Sequence, residues 1–169
     1  MSRPTSILKP LAALPLILSL AACATAPPVR YTGSPQAQWE QGQAAYLAWS
    51  AKRPGWKVTA SGLQYRRLKA APAASPKPAP GATVTIHYVG RFIDGRTFDS
   101  SRDRGQPATF PLNRLIKGWQ EGVPMMRKGE TWAFVIPAEL GYGARNRAPI
   151  PPNSALLFEI ELIDIRAAD

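Results

Sequence analysis

Residues 83–101 read Thr-Val-Thr-Ile-His-Tyr-Val-Gly-Arg-Phe-Ile-Asp-Gly-Arg-Thr-Phe-Asp-Ser-Ser, and their periodicity decides the fold. Val84, Ile86 and Tyr88 alternate with Thr85 and His87, the two-residue repeat of a strand with one apolar face. The even-numbered face is expected to point inward. Asp94-Gly95 supplies a tight turn, so this strand and Arg96 to Phe98 form a hairpin. The same alternation returns at 130–136, where Trp132, Phe134 and Ile136 share a face. It returns again at 155–165, where Phe158, Ile160 and Leu162 oppose Glu159 and Glu161. Only one short helical stretch, near 117–122, interrupts these strands. The pattern predicts an α+β domain built on antiparallel strands.

Working toward the N-terminus, Trp56-Lys57-Val58 and residues 62–68 also alternate as strands. Between them and Thr83 lies a segment, 70–81, with prolines at Pro72, Pro76, Pro78 and Pro80, which favour an extended surface loop. Residues 36–50 carry Trp39, Ala44, Tyr46, Leu47 and Trp49 among helix formers, and Pro54-Gly55 follows as a stop. One helix is expected, its aromatic residues packing back onto the domain; a dimerisation helix is the competing reading, which its shortness disfavours. Residues 24–35 hold Ala, Pro, Thr, Gly and Ser and read as a flexible tether. Residues 1–22 have the build of a targeting segment, with Arg3 and Lys9 ahead of an apolar run from Leu11 to Leu20 and the small pair Ala21-Ala22.

The chain has 169 residues, 45% of them apolar, enough for one core and one domain of ordinary size. Its formal charge of +10 comes from 21 basic and 11 acidic residues. The basic residues are scattered in pairs such as Arg66-Arg67 and Arg127-Lys128, without a nucleic-acid-binding motif, so nucleic acid is not an expected partner. His87 is the only histidine and lies on the strand face opposite the core, which leaves no Ser-His-Asp arrangement. Cys23 is the only cysteine, and no group of His, Cys and carboxylates has metal-ligand spacing. Gly141-Tyr142-Gly143 lacks the following helix that a nucleotide loop requires. Hydrolase, metalloenzyme and nucleotide chemistry are therefore set aside, and no cofactor is expected.

Five motifs in order, V-T-I-H-Y, D-G-R-T-F-D-S-S, L-I-K-G-W-Q-E-G-V, L-G-Y-G-A and L-L-F-E-I-E-L, resemble the FKBP family of peptidyl-prolyl cis/trans isomerases over roughly residues 62–166. The resemblance implies a strongly twisted antiparallel sheet wrapped around one short helix, here preceded by a short N-terminal helix. It also implies a pocket for X-Pro segments of unfolded or folding chains. Trp119 would be its floor and Tyr88, Phe98 and Phe158 its walls, with Leu115 and Phe110 beside them. The Ile116 N–H would bind a substrate carbonyl, Tyr142 would hydrogen-bond substrate, and Ile150 would close the loop side. Asp99 would either act near the carbonyl or orient Tyr88, and both readings stay open. Macrolides such as tacrolimus and rapamycin would be inhibitors, and a monomer is expected.

The segment Leu20-Ala21-Ala22-Cys23 resembles the lipobox of bacterial lipoproteins. It implies lipidation of Cys23 and, with Ala24 next in sequence, an outer-membrane lipoprotein facing the periplasm. The resulting division is a signal peptide at 1–22, a lipidated tether at 23–35, a helix and connection at 36–61 and the isomerase domain at 62–169. Three departures from the family pattern stand out. Ala108 occupies a position where relatives often carry a wall aromatic, two residues are absent between Leu112 and Leu115, and the loop 145–150 is one residue shorter. Ala108 favours the alternative of a proline-peptide-binding chaperone with little turnover, while a purely structural envelope lipoprotein is the weakest reading.

Overall fold

The computed structural model describes residues 32–166. The expected targeting segment at 1–22, Cys23 and most of the tether lie outside the described residues. A helix α1 (Pro35–Ser50) precedes strands β1 (Lys57–Val58), β2 (Gln64–Lys69), β3 (Thr83–Arg91), β4 (Thr97–Ser100) and β5 (Ala108–Pro111). A short helix α2 (Lys117–Gly122) then leads to β6 (Thr131–Ile136) and β7 (Leu156–Arg166). The sheet order is β1-β2-β6-β7-β3-β4, with β5 also paired to β3, and all pairings are antiparallel.

The alternation in residues 83–101 explains the centre of this sheet. β3 pairs along its whole length with β7, from Thr83 opposite Arg166 to Arg91 opposite Leu157. Val84 and Ile86 are fully buried and Tyr88 nearly so, as are Ile160 and Leu162 on β7. The Asp94-Gly95 turn closes the expected hairpin, with the Gly95 N–H donating to the Phe92 carbonyl at 3.0 Å. The other edge of β3 is divided: β5 pairs with Thr83 to Ile86 and β4 with Val89 to Arg91. β5 is a strand that the alternation did not reveal, because it is only four residues long and is bounded by Pro107 and Pro111.

Between β4 and β5 the chain leaves the sheet, and a side chain takes over the ladder. The Ser101 hydroxyl accepts the Tyr88 N–H at 2.8 Å and lies 3.3 Å from the Tyr88 carbonyl, which also accepts the Ser101 N–H at 3.0 Å. Ser101 is fully buried, so these bonds form without competition from water. His87 is half-buried rather than open to solvent, its Nδ1 lying 3.0 Å from the same hydroxyl.

α2 lies flush against the sheet because two glycines one turn apart face it. A Cβ on Gly118 would fall 2.7 Å from Ile136 Cγ2, and one on Gly122 would fall 2.6 Å from Phe134 Cε1. No other residue allows this approach, and it fixes the depth at which Trp119 sits.

α1 packs back onto the domain, with the expected Trp39, Tyr46, Leu47 and Trp49 half-buried. Gly42, Gln43 and Ser50 are its buried residues, while Ala44 is exposed. Hydrogen bonds carry the contact: Ser50 Oγ donates to Gln64 Oε1 at 2.6 Å, and the Ala155 N–H donates to Gln43 Oε1 at 3.0 Å. Trp39 Nε1 adds a bond to the Pro152 carbonyl at 3.1 Å. Order also begins before residue 35. Ser34 caps α1 by accepting the Ala37 N–H, and Gln41 Nε2 donates to the Thr32 carbonyl at 2.9 Å. The proline-rich loop is tied down by Arg127, whose guanidinium donates to the Ser75 carbonyl at 2.8 Å.

Candidate active site

Five aromatic side chains from five elements meet around a cavity of about 860 Å³. Trp119, on α2, is 5% exposed and forms its base. Phe158 of β7 stands edge-on to the Trp119 ring at 5.0 Å and 86°, and Tyr88 of β3 does so at 5.3 Å and 77°. Phe98 of β4 closes against Phe158 at 5.6 Å and 89°. This last contact depends on Gly90, which pairs with Phe158 across the sheet; a Cβ there would lie 2.7 Å from the Phe98 ring and 2.8 Å from the Phe158 ring. Edge-to-face pairs of this kind add about 0.5–1.5 kcal/mol each beyond burial, so the walls are rigid as a group. Trp119 Nε1 is buried without an acceptor among the described residues, which leave the indole held by packing.

The fifth aromatic answers the concern over Ala108. Alternation along β5 sends Ala108 and Phe110 to the same side, and Phe110 lines the cavity at 6.5 Å from the Trp119 ring. Ala108 does not line it; it packs, half-buried, against the core.

One edge of the cavity carries a polar cluster. The Tyr88 hydroxyl donates to Asp99 Oδ2 at 2.5 Å. Arg104, from the loop between β4 and β5, donates to Asp99 Oδ1 and, through Nη2, to the Tyr88 oxygen at 2.9 Å. Its guanidinium also lies over the Tyr88 ring, 5.6 Å from the centroid. Asp99 thus holds the Tyr88 hydroxyl, the contact that one of its two expected roles requires. Burial acts to raise the Asp99 pKa, but the Tyr88 hydroxyl and then the Arg104 guanidinium outweigh it and hold the carboxyl below its ordinary value. Burial first, and the Asp99 carboxylate second, push the Tyr88 phenol up. At neutral pH the cluster is a neutral phenol between a carboxylate and a guanidinium.

The opposite side is built by the segment entering α2 and by the loop before β7. A single 3-10 turn, Leu112–Arg114, occupies the segment before α2, with the Leu115 N–H donating to the Leu112 carbonyl at 3.1 Å. Leu115 and Ile116 follow it onto the cavity wall. Gln120 Nε2 holds this segment through the Leu115 carbonyl at 2.7 Å. The Ile116 carbonyl accepts the Trp119 N–H at 2.9 Å, whereas its own N–H is not donated to any acceptor among the described residues. Tyr142 lines the loop side, with the Arg147 guanidinium over its ring at 5.2 Å.

Ile150 is not on the cavity wall. Its N–H and carbonyl both bond Arg147, and this tight turn directs the side chain, 5% exposed, into the core. Arg104 is a site residue that sequence reasoning missed. The available signal was a basic residue five positions after Asp99 in the same hairpin extension, too common a pattern to single out.

Comparison with known proteins agrees with this geometry. Residues 75–163 match the family model for FKBP-type peptidyl-prolyl cis-trans isomerase. The chain is 48% identical over 126 residues to FKBP-type peptidyl-prolyl cis-trans isomerase FkpA of Aeromonas hydrophila, covering 73% of this chain and 46% of that protein. It is 43% identical over 125 residues to outer membrane protein MIP of Legionella longbeachae, covering 73% of this chain and 53% of that protein. It thus spans about half the length of these relatives. The crystal structure of FkpA from Escherichia coli superposes with a TM-score of 0.74 at 39% identity, over 79% of this chain and 62% of that one. With the family model matched over most of the sheet and its cavity, the chain belongs to the FKBP-type peptidyl-prolyl cis-trans isomerase family.

Proposed function

We propose that this protein is a peptidyl-prolyl cis/trans isomerase that accelerates folding steps of envelope proteins without covalent chemistry. The observation that carries this reading is the aromatic cavity, floored by Trp119 and edged by the Tyr88–Asp99–Arg104 cluster. Rotation about an X-Pro bond faces a barrier of about 20 kcal/mol, because resonance gives the C–N bond double-bond character. That resonance form separates charge. An apolar enclosure disfavours it relative to the twisted amide, in which the charge separation is lost. The proline ring would rest on Trp119 between Phe98, Phe110 and Phe158. The unengaged Ile116 N–H would bind a carbonyl beside the proline, and the Tyr142 hydroxyl would bind a second polar group. Tyr88, held by Asp99 and Arg104, would keep its wall in place while the carbonyl swings past it.

The alternative, a binding module with little turnover, rested on Ala108. Since Phe110 supplies an aromatic on that side, turnover is the favoured reading. The same cavity is proposed to admit tacrolimus- or rapamycin-type macrolides, and the docking of α1 on its own domain favours a monomer. Lipidation at Cys23 and an outer-membrane position facing the periplasm are proposed from Leu20-Ala21-Ala22-Cys23; the name of the Legionella longbeachae relative agrees with an envelope location. The domain division proposed from the sequence is retained, with Thr32, at the end of the proposed tether, hydrogen-bonded to Gln41 of α1. The function is tested by the cis-to-trans relaxation of a short X-Pro peptide. Catalysis at substoichiometric protein is expected, and an unaltered rate would refute it. Loss of labelled acyl chains in Cys23→Ala would test the anchor.

A further inference from the structure

The mouth of the cavity is charged in a way that catalysis on the amide does not require. Arg114 and Lys117 come from the segment entering α2, and Arg145 and Arg147 from the loop before β7; all four are exposed and line the same opening. None of them is in an ion pair among the described residues. Of the carboxylates at the cavity, Asp99 is already engaged by Arg104, which leaves Glu139 as the one acid to offset four cations. Arg147 is partly committed to the Tyr142 ring, but its charge remains at the opening.

We propose that this rim makes the site selective for proline segments bearing Asp or Glu within two or three residues of the proline. The inference rests on the isomerase reading and adds a substrate class to it. An extended chain advances about 3.3 Å per residue, so carboxylates at those positions lie at the opening while the proline is on Trp119. A carboxylate about 8 Å from one cation in water gains roughly twofold in affinity at low ionic strength, and several cations compound to about tenfold. The same field steers encounter, and it is screened as salt rises past a Debye length of about 8 Å. Lysine-flanked prolines should be the poorest substrates.

The test compares matched X-Pro peptides flanked by Glu, by Gln or by Lys, in kcat/KM and in Kd from tryptophan fluorescence. For the unaltered protein at low salt, the Glu-to-Gln ratio in kcat/KM is expected to be about ten, falling toward one near 0.5 M salt. In the triple variant Arg114→Gln, Lys117→Gln, Arg145→Gln the ratio should drop to near one, since Arg147 and Glu139 then offset each other. A ratio near one in the unaltered protein, or one that the variant leaves intact, would overturn the proposal. The Gln-flanked peptide separates the two claims, because its turnover tests the isomerase reading alone. Were turnover absent, the Kd ratio would still decide the selectivity, equal affinities overturning it.

Discussion

Ser101→Ala removes a single hydroxyl and should reach both stability and the site. Ser101 Oγ is the acceptor for the Tyr88 N–H at the gap between β5 and β4 along one edge of β3. The Tyr88 carbonyl keeps the Ser101 N–H, so the substitution orphans one buried donor. An unsatisfied buried amide costs about 1–3 kcal/mol, and Ser101 is fully buried, so water cannot replace the hydroxyl without opening the loop. With a urea m-value of about 1–3 kcal/mol/M for a domain of this size, the unfolding midpoint should fall by about 1 M. Ser101→Thr, which retains the hydroxyl, should lose less. Because Tyr88 is the residue held, the folded Ser101→Ala protein should also bind proline peptides several-fold more weakly. An unchanged midpoint would refute the reasoning, since it would mean the Tyr88 N–H finds another partner.

Other outcomes follow from the same geometry. Trp119→Leu should weaken peptide binding by about tenfold or more, whereas His87→Ala, on the far face of β3, should change it by less than about threefold; fluorescence titration compares them. Gly90→Ala should destabilise by about 1–3 kcal/mol in urea unfolding and weaken peptide binding, because its Cβ would overlap the Phe98 and Phe158 rings. The Asp99 carboxyl has a folded pKa below its unfolded value, so its contribution is present above the unfolded value, about 3.9, and is lost as pH falls through the folded one. In Arg104→Gln a donor and a positive charge are lost, and a carbon NMR titration of Asp99 should show its midpoint moving up; no movement would mean Arg104 does not act on Asp99.

The readable part of this molecule is where side-chain period and backbone geometry coincide. The alternation of Val84, Ile86 and Tyr88 placed the first part of β3, and that of Phe158, Ile160 and Leu162 placed β7 within a residue of where it lies. Trp119, Phe98 and Phe158 could be named as site residues through motif resemblance, and the fold brings them together. Contacts made across long sequence separations by exposed or polar residues were not readable. Arg104 is an ordinary loop arginine until the hairpin brings it over Tyr88. Ser101 looks like a turn residue, and its role as a ladder substitute depends on the gap between β4 and β5. α1 was legible as a helix and in its half-buried aromatic residues, but not in the hydrogen bonds of Gln43 and Ser50, which hydropathy does not register. Ile150 could be named from its motif, but its packing into the core follows from the turn it makes with Arg147, which the sequence does not announce.

The most direct test is the cis-to-trans rate of a short X-Pro peptide with a protein comprising residues 24–169, measured with and without tacrolimus or rapamycin. Acceleration that the macrolide abolishes is the predicted result, because peptide and drug would compete for the cavity above Trp119. The absence of both acceleration and drug binding would contradict the account, and would leave this chain with the family's fold but not its activity.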